Sequence, residues 1–125
     1  MSQYSQGVAP LALKAAADLS TKQYFFVKLT ASRKVNIAAG ATTPVFVLQN
    51  KPDAADDVAE VAQPGSTTKV KLGGTVTYGD HLTSDSAGKA IVTVTNTNFV
   101  GGIALESGVT DDLIEMLVAH LKVAA

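Results

Sequence analysis

The amino-acid sequence predicts an all-β fold: a compact β-barrel or sandwich-like single domain with pseudo-duplicated halves and an extended N-terminal arm. Three observations carry this expectation. Short apolar runs alternate with polar residues and are divided by Gly, Pro, Asn and Asp, the pattern of half-buried strands joined by turns. Of 125 residues, 46% are hydrophobic and only 17% charged, a balance that argues against disorder and suits one packed core. The third observation is a repeated series of strand-and-turn segments. Lys28-Leu29-Thr30, Arg33-Lys34-Val35, Phe46-Val47-Leu48-Gln49 and Asp56-Asp57-Val58-Ala59-Glu60-Val61 return as His81-Leu82-Thr83, Gly88-Lys89-Ala90, Ile103-Ala104-Leu105-Glu106 and Asp111-Asp112-Leu113-Ile114-Glu115-Met116. Pairing Leu29 with Leu82, Leu48 with Leu105 and Asp57 with Asp112 predicts two half-barrels, residues 28–61 and 81–116, closing on each other. Two copies are too few for a solenoid, which needs about three.

Residues 1–20 read as an arm and residues 21–125 as the β-rich domain. Pro10 precedes Leu11-Ala12-Leu13-Lys14-Ala15-Ala16-Ala17-Asp18, which is Ala-rich enough for a short helix but too short to hold one alone. The expectation is an arm that orders against a neighbour. It makes Tyr4, Pro10, Leu11, Leu13 and Lys14 the candidate partner contacts, and it predicts that the arm can be deleted without unfolding the domain.

From Lys22 onward the vocabulary is β. Tyr24-Phe25-Phe26-Val27-Lys28-Leu29 has aromatic and β-branched strand content, and Val35 and Ile37 alternate with Lys34 and Asn36. Val45 to Leu48 is apolar on both faces. Val58 and Val61 lead to the Pro64-Gly65 turn, Thr67 to Leu72 alternates again, and Gly73-Gly74 interrupt before Thr75 to Tyr78. Asp85 and Gly88 suit a turn with local side-chain bonds or positive φ. Ile91 to Thr95 and the neighbours of Ile103 and Leu105 are strands. Leu113 to Leu121 carries both a helical and an alternating pattern; the repeat favours a strand over Leu113 to Val118. The expected core is Phe26, Val35, Phe46, Leu48, Leu72, Val92, Ile103, Leu105, Ile114 and Met116.

Composition and motifs narrow the chemistry. There are no cysteines, which removes disulfides, thiolate nucleophiles and Cys-based zinc sites. A net charge of −1 gives no long-range attraction to nucleic acid or acidic membranes. No apolar stretch approaches the roughly 20 residues of a bilayer span, and no basic-then-apolar secretory leader is visible. Asp80, His81 and Ser84 could be drawn as a catalytic triad, but they crowd one turn, whereas a triad is assembled from separate rigid elements. Gly88-Lys89 lacks the hydroxyl residue and first glycine of a phosphate loop. Asp53, Asp56 and Asp57 lack calcium-loop spacing, and Lys69 and Lys71 have no interleaved aromatics for nucleic acid. Lysines so placed protect a strand edge. No enzyme activity, cofactor or metal is expected.

Asp18-Leu19-Ser20, Lys22 to Thr30, Val47-Leu48-Gln49-Asn50-Lys51-Pro52, Gly79-Asp80-His81-Leu82-Thr83 with Gly88-Lys89-Ala90, and Gly102 to Glu106 before Asp112 to Glu115 follow one another in a distinctive order. In that order and spacing the chain, over about residues 18 to 118, resembles the small capsid decoration (cement) proteins of tailed bacteriophages. Ser32-Arg33-Lys34 departs from the glycine-containing turn of that group, and Ala119 to Ala125 run past its usual end. The resemblance implies a structural virion protein that binds the outer surface of an expanded icosahedral head and stabilises it. Its partner would be the major capsid protein, with assembly as a homo-oligomer, a trimer favoured. It would be made in the host cytoplasm. A tail or head–tail component and a β-domain adhesin or display module are the alternatives. The adhesin is disfavoured by the absence of Trp and the presence of only three Tyr.

Overall fold

The computed structural model describes residues 10–40, 45–93 and 99–122, with side chains through Ala119. Every regular element among them is a strand: β1 Leu11–Ala15, β2 Phe26–Ala31, β3 Lys34–Ile37, β4 Phe46–Val47, β5 Val58–Val61, β6 Thr67–Lys71, β7 His81–Ser84, β8 Ala90–Val92, β9 Phe99–Ala104 and β10 Leu113–Lys122. The C-terminal segment is the strand that the repeat favours, and it extends beyond Val118. Thr75 to Tyr78 contributes only an isolated bridge, Val76 to Gly108.

The strands form two five-stranded sheets, ordered β4-β2-β3-β1-β5 and β6-β10-β9-β7-β8. Each bends until its outer strands meet. Leu48 bridges Val61 to close the first sheet, and Leu72 bridges Ala90 to close the second. With those bridges included, both rings have the same cyclic order, β1-β3-β2-β4-β5 and β6-β8-β7-β9-β10. The duplication is therefore present, but its extent and closure differ from expectation. Each half closes on itself, not on its partner, and the repeat begins at β1, whose counterpart is β6.

Backbone hydrogen bonds confirm the correspondence strand by strand. Ala15 N donates to Asp57 O and Asp56 N to Ala15 O; Leu72 N donates to Asp112 O and Asp111 N to Leu72 O. Tyr24 N donates to Leu48 O, as Gly79 N does to Ala104 O. Leu48 therefore corresponds to Ala104, one residue before the expected Leu105. Likewise Val27 and not Leu29 matches Leu82, since Val27 faces Ile37 as Leu82 faces Val92. The pairing of Asp57 with Asp112 agrees with the sequence reading.

This register explains the core. Leu13, Ala15, Val27, Val35, Leu48, Ala59 and Val61 fill the first ring. Val70, Leu72, Leu82, Ala90, Ala104, Ile114 and Met116 occupy the equivalent places in the second. Side-chain volume is exchanged between the copies. Phe46 and Leu48 lie beside the small Val61, whereas Gly102 and Ala104 lie beside Met116. A Cβ on Gly102 would overlap the Leu117 carbonyl and come 2.6 Å from the Met116 sulfur. Of the expected core, Phe26, Val35, Leu48, Leu72, Ile114 and Met116 are buried, and Phe46 and Ile103 are half-buried. Leu105 is 46% exposed because its strand position matches outward Gln49, and Val92 is 38% exposed. Ile37, the counterpart of Val92, lies under the Gly88 turn of the other half.

The halves pack as one domain. Phe26, Ala38, Val45, Val47 and Ala62, on the outside of the first ring, join the core of the second. A Cβ on Gly101 would overlap the Phe26 ring, so glycine is required for that approach. Burying Phe26 completely contributes about 1.5–3 kcal/mol. Among the described residues, hydrogen bonds cross the seam from Phe26 N to Gly88 O, 2.7 Å, from Lys71 N to Tyr24 O, 3.0 Å, from Ser84 Oγ to Ala38 O, 2.8 Å, and from Gln49 Nε2 to Thr68 Oγ1, 2.8 Å.

The N-terminal reading is corrected for residues 10–20. Leu11–Ala15 is a strand of the first sheet and not part of a separate arm. It lies between β3, which it joins in parallel, and β5, which it joins antiparallel. Its alternation buries Leu13 and Ala15 while Ala12 and Lys14 face solvent. Leu19 is buried as well. Deleting residues 2–17 is therefore expected to unfold the first half, in contrast to removal of a detachable arm; loss of dispersed amide NMR signals would show it. Leu48→Ala should cost about 2–5 kcal/mol in urea unfolding, while Leu105→Ala should stay within about 0.5 kcal/mol.

Candidate interaction surface

The residues singled out from sequence do not converge on one site. Tyr4 lies outside the described residues. Pro10 and Lys14 are exposed, but Leu11 packs against the first core and Leu13 belongs to it. The two leucines are therefore part of the protein's own interior. The imagined triad is likewise dispersed by strand geometry. His81 faces solvent, and the buried Ser84 hydroxyl donates to the carbonyls of Ala38 and Asp85. The Asp80 carboxylate accepts from Thr77 N within its own turn. Gly88 and Lys89 belong to a hairpin turn whose Asp85 carboxylate accepts from the amides of Ala87 and Lys89. Among the described residues, no three His, Asp or Glu side chains converge as cation ligands, and no helix is long and apolar enough to cross a membrane.

The acidic loop has a structural use that the repeat doubles. Lys34 Nζ lies 2.9 Å from Asp56 Oδ1, and Lys89 Nζ 2.8 Å from Asp111 Oδ1. The two pairs are equivalent across the halves. Hydrogen bonding from the lysine, then its charge, lowers the pKa of Asp56 and of Asp111. Bonding to Asp111 raises that of Lys89. Asp57 moves the other way, because its carboxyl shares a hydrogen bond with Asp53.

A shallow, open depression of about 280 Å³ lies at the seam. Tyr24 and Phe25 contribute aromatic surface, Lys51 and Lys71 flank it, and Leu113 of the second half borders it. Lys22 Nζ sits 5.0 Å above the Phe25 ring centroid. Tyr24 reaches this position through a left-handed backbone, φ 69°, whereas its counterpart Gly79 has φ 87°. Such a φ costs a residue with a Cβ about 1–2 kcal/mol, and it costs glycine essentially nothing. The sequence signal for this site is a tyrosine where the other copy has glycine, and it lies upstream of the repeat that begins at Lys28.

Comparison of the halves also isolates an apolar end on the second. Tyr78, Leu105, Val109 and Leu113 are 71%, 46%, 55% and 46% exposed. Their counterparts are Gln23, Gln49, Ala54 and Val58, so only Val58 retains a large apolar side chain. Tyr78 and Leu105 are held at that end by backbone bonds, Tyr78 N to Ser107 Oγ and Leu105 N to Glu115 O. The backbone is common to both halves, but this surface is not.

No known family's sequence model matches the chain, and no curated protein does. Among solved structures, the chain is similar to the N base of the head fiber gp8.5 of bacteriophage phi29. That likeness has a TM-score of 0.69 and 21% sequence identity, and it covers 93% of this chain and 98% of the other. The shared feature is the fold, across nearly the whole of both chains.

The two ion pairs predict the pH dependence of stability. Asp56 and Asp111 have lowered pKa values, so their contribution is present at neutral pH. It is lost as pH falls from the ordinary carboxylate value of 3.8 through the lower folded values. Lys89, raised, contributes below its ordinary 10.5 and loses that contribution as pH rises further. Asp57, raised, opposes folding at neutral pH and ceases to do so on acidification. Melting temperatures from acid to alkaline pH should therefore fall less steeply at both extremes in Asp111→Asn than in the parent.

Proposed function

We propose that the protein is a structural component of a bacteriophage head, bound to the outer surface of the expanded icosahedral shell and stabilising it. The observation that carries this reading is the full-length likeness to the base of a phage head fiber. Two features of the chain support it. The exposed apolar end of the second half exceeds what its own fold requires, the mark of a surface that meets a partner. The low share of charged residues suits closely packed, repeated contacts on a symmetric lattice, where modest interfaces gain from avidity. In this reading the partner is the major capsid protein, and the protein acts as a homo-oligomer, a trimer favoured, without enzymatic activity or a cofactor.

A second reading is favoured by the same structural neighbour, which is described as the base of a fiber. The β domain would then anchor a projecting element to the head without strengthening the shell. The two readings differ by linkage. A ligand that binds the assembled shell and not its separated subunits shifts the assembly equilibrium by mass action.

Added to bare expanded heads, the protein is expected to co-sediment, to saturate at a stoichiometry fixed by lattice symmetry, and to raise the temperature at which heads release DNA. Saturable binding with an unchanged release temperature would favour the anchoring reading. An absence of binding would remove the head assignment.

A further inference from the structure

We propose that the depression at Tyr24 is a docking site for a short acidic segment of a partner protein, its carboxylates held by Lys51 and Lys71 and its apolar side chains resting on Tyr24 and Leu113. Identifying that partner with the shell's coat protein rests on the head assignment; the acidic chemistry does not.

Tyr24 is the first argument. The two halves share hydrogen bonds at this corner: Tyr24 N donates to Leu48 O and Gly79 N to Ala104 O, both at 2.7 Å. Both corners require positive φ. A Cβ at Gly79 would meet nothing within 4 Å, so no neighbouring atom forces the second half to leave its corner bare; the positive φ alone favours glycine there. The first half instead holds a strained, half-buried aromatic residue over a concavity. Backbone strain at a residue whose side chain lines a cleft points to use of that side chain.

Charge gives the second argument. Among the described residues, Lys51 and Lys71 line the depression and no carboxylate does. Among the described residues, the ion pairs of the chain engage Lys34 and Lys89, leaving Lys51 and Lys71 outside them. Lys22, above Phe25, adds a third ammonium beside the site. The Asp111 carboxylate, which feels the charge of Lys71, is bonded to Lys89 at 2.8 Å. A site with cationic flanks and an aromatic and aliphatic floor complements a segment that alternates acidic and aliphatic residues. The half-exposed Leu113 continues the floor toward the apolar end of the second half.

The test uses the full chain and three acetylated, amidated pentapeptides: Glu-Leu-Asp-Leu-Glu, its lysine counterpart and its serine counterpart. Binding is followed by amide NMR shifts. The acidic peptide is expected to shift Tyr24, Lys51, Lys71 and Leu113, and the other two are not. The double variant Lys51→Glu/Lys71→Glu should weaken that binding at least tenfold. Tyr24→Gly should also weaken it several-fold while melting no lower than the parent, a sign opposite to that of a purely structural tyrosine. No shift at these residues with any peptide, or equal shifts with all three, would overturn the proposal. So would an acidic oligosaccharide such as oligogalacturonate binding there in place of the peptide. In parallel, parent and double variant are sedimented with bare heads. Parent binding with loss in the folded double variant ties the site to the shell, and equal binding by both removes the site from the shell contact while the head assignment stands.

Discussion

Closure of five short strands into a ring is the constraint on which this structure depends. A ring built from strands as short as two residues needs sharp corners, and those corners need left-handed backbone. Three such corners recur 55 positions apart: Tyr24 and Gly79, Arg33 and Gly88, Asp56 and Asp111, with φ between 58° and 87°. Glycine occupies two of the six. Elsewhere side chains tie the strained turns down, as Arg33 does by donating to the Ala12 carbonyl at 2.9 Å and Asp56 does by pairing with Lys34. The two ion pairs are thus clasps on equivalent corners. Their exposure means that each contributes through position more than through energy.

Much of this was legible in the sequence. Alternation found the strands, and the doubled wording found the duplication. The register departs from that expectation because matching letters are not matching positions. Leu48 and Leu105 share a residue type, but a ring interior conserves filled volume and not identity. Where β10 brings Met116 inward, β9 must withdraw to Gly102 and Ala104; where β5 brings Val61, the strand beside it supplies Phe46 and Leu48. That compensation lies between strands distant in sequence, and no local pattern reports it. The first strand is hard to read from sequence for a related reason. Leu11 to Ala15 is poor in β-branched residues, and its place is set by β3 and β5 on either side. Its counterpart Thr67 to Lys71 has the β-branched residues that make a strand readable alone.

The candidate surface is less legible than the fold, because the apolar residues of the N-terminal segment serve the ring itself. Leu11 and Leu13 are apolar for the sake of the first core. Their equivalents, Thr68 and Val70, show how one fold position can serve two ends: Thr68 is a hydroxyl residue where it accepts from Gln49 across the seam. Ser84 follows the same logic, donating to Ala38 where its counterpart Leu29 is 51% exposed. Residue type at these sites follows the neighbour that covers them, which sequence periodicity does not reveal.

A duplicated fold supplies its own control for separating scaffold from function. Any residue that the backbone requires should recur in kind at the equivalent position of the other half, as the Lys–Asp clasps do. Differences that follow from the seam, such as Gly101 beneath Phe26, are explained by packing. What remains after both subtractions is small: an aromatic residue at a strained corner that works as glycine elsewhere, and an apolar end where Tyr78 and Val109 stand in place of Gln23 and Ala54. These features burden the free protein, one with backbone strain and the other with exposed apolar area. Both border one another at Leu113, on the line where the two rings meet. A partner that covered that line would contact both halves at once, so its binding would also hold the rings together.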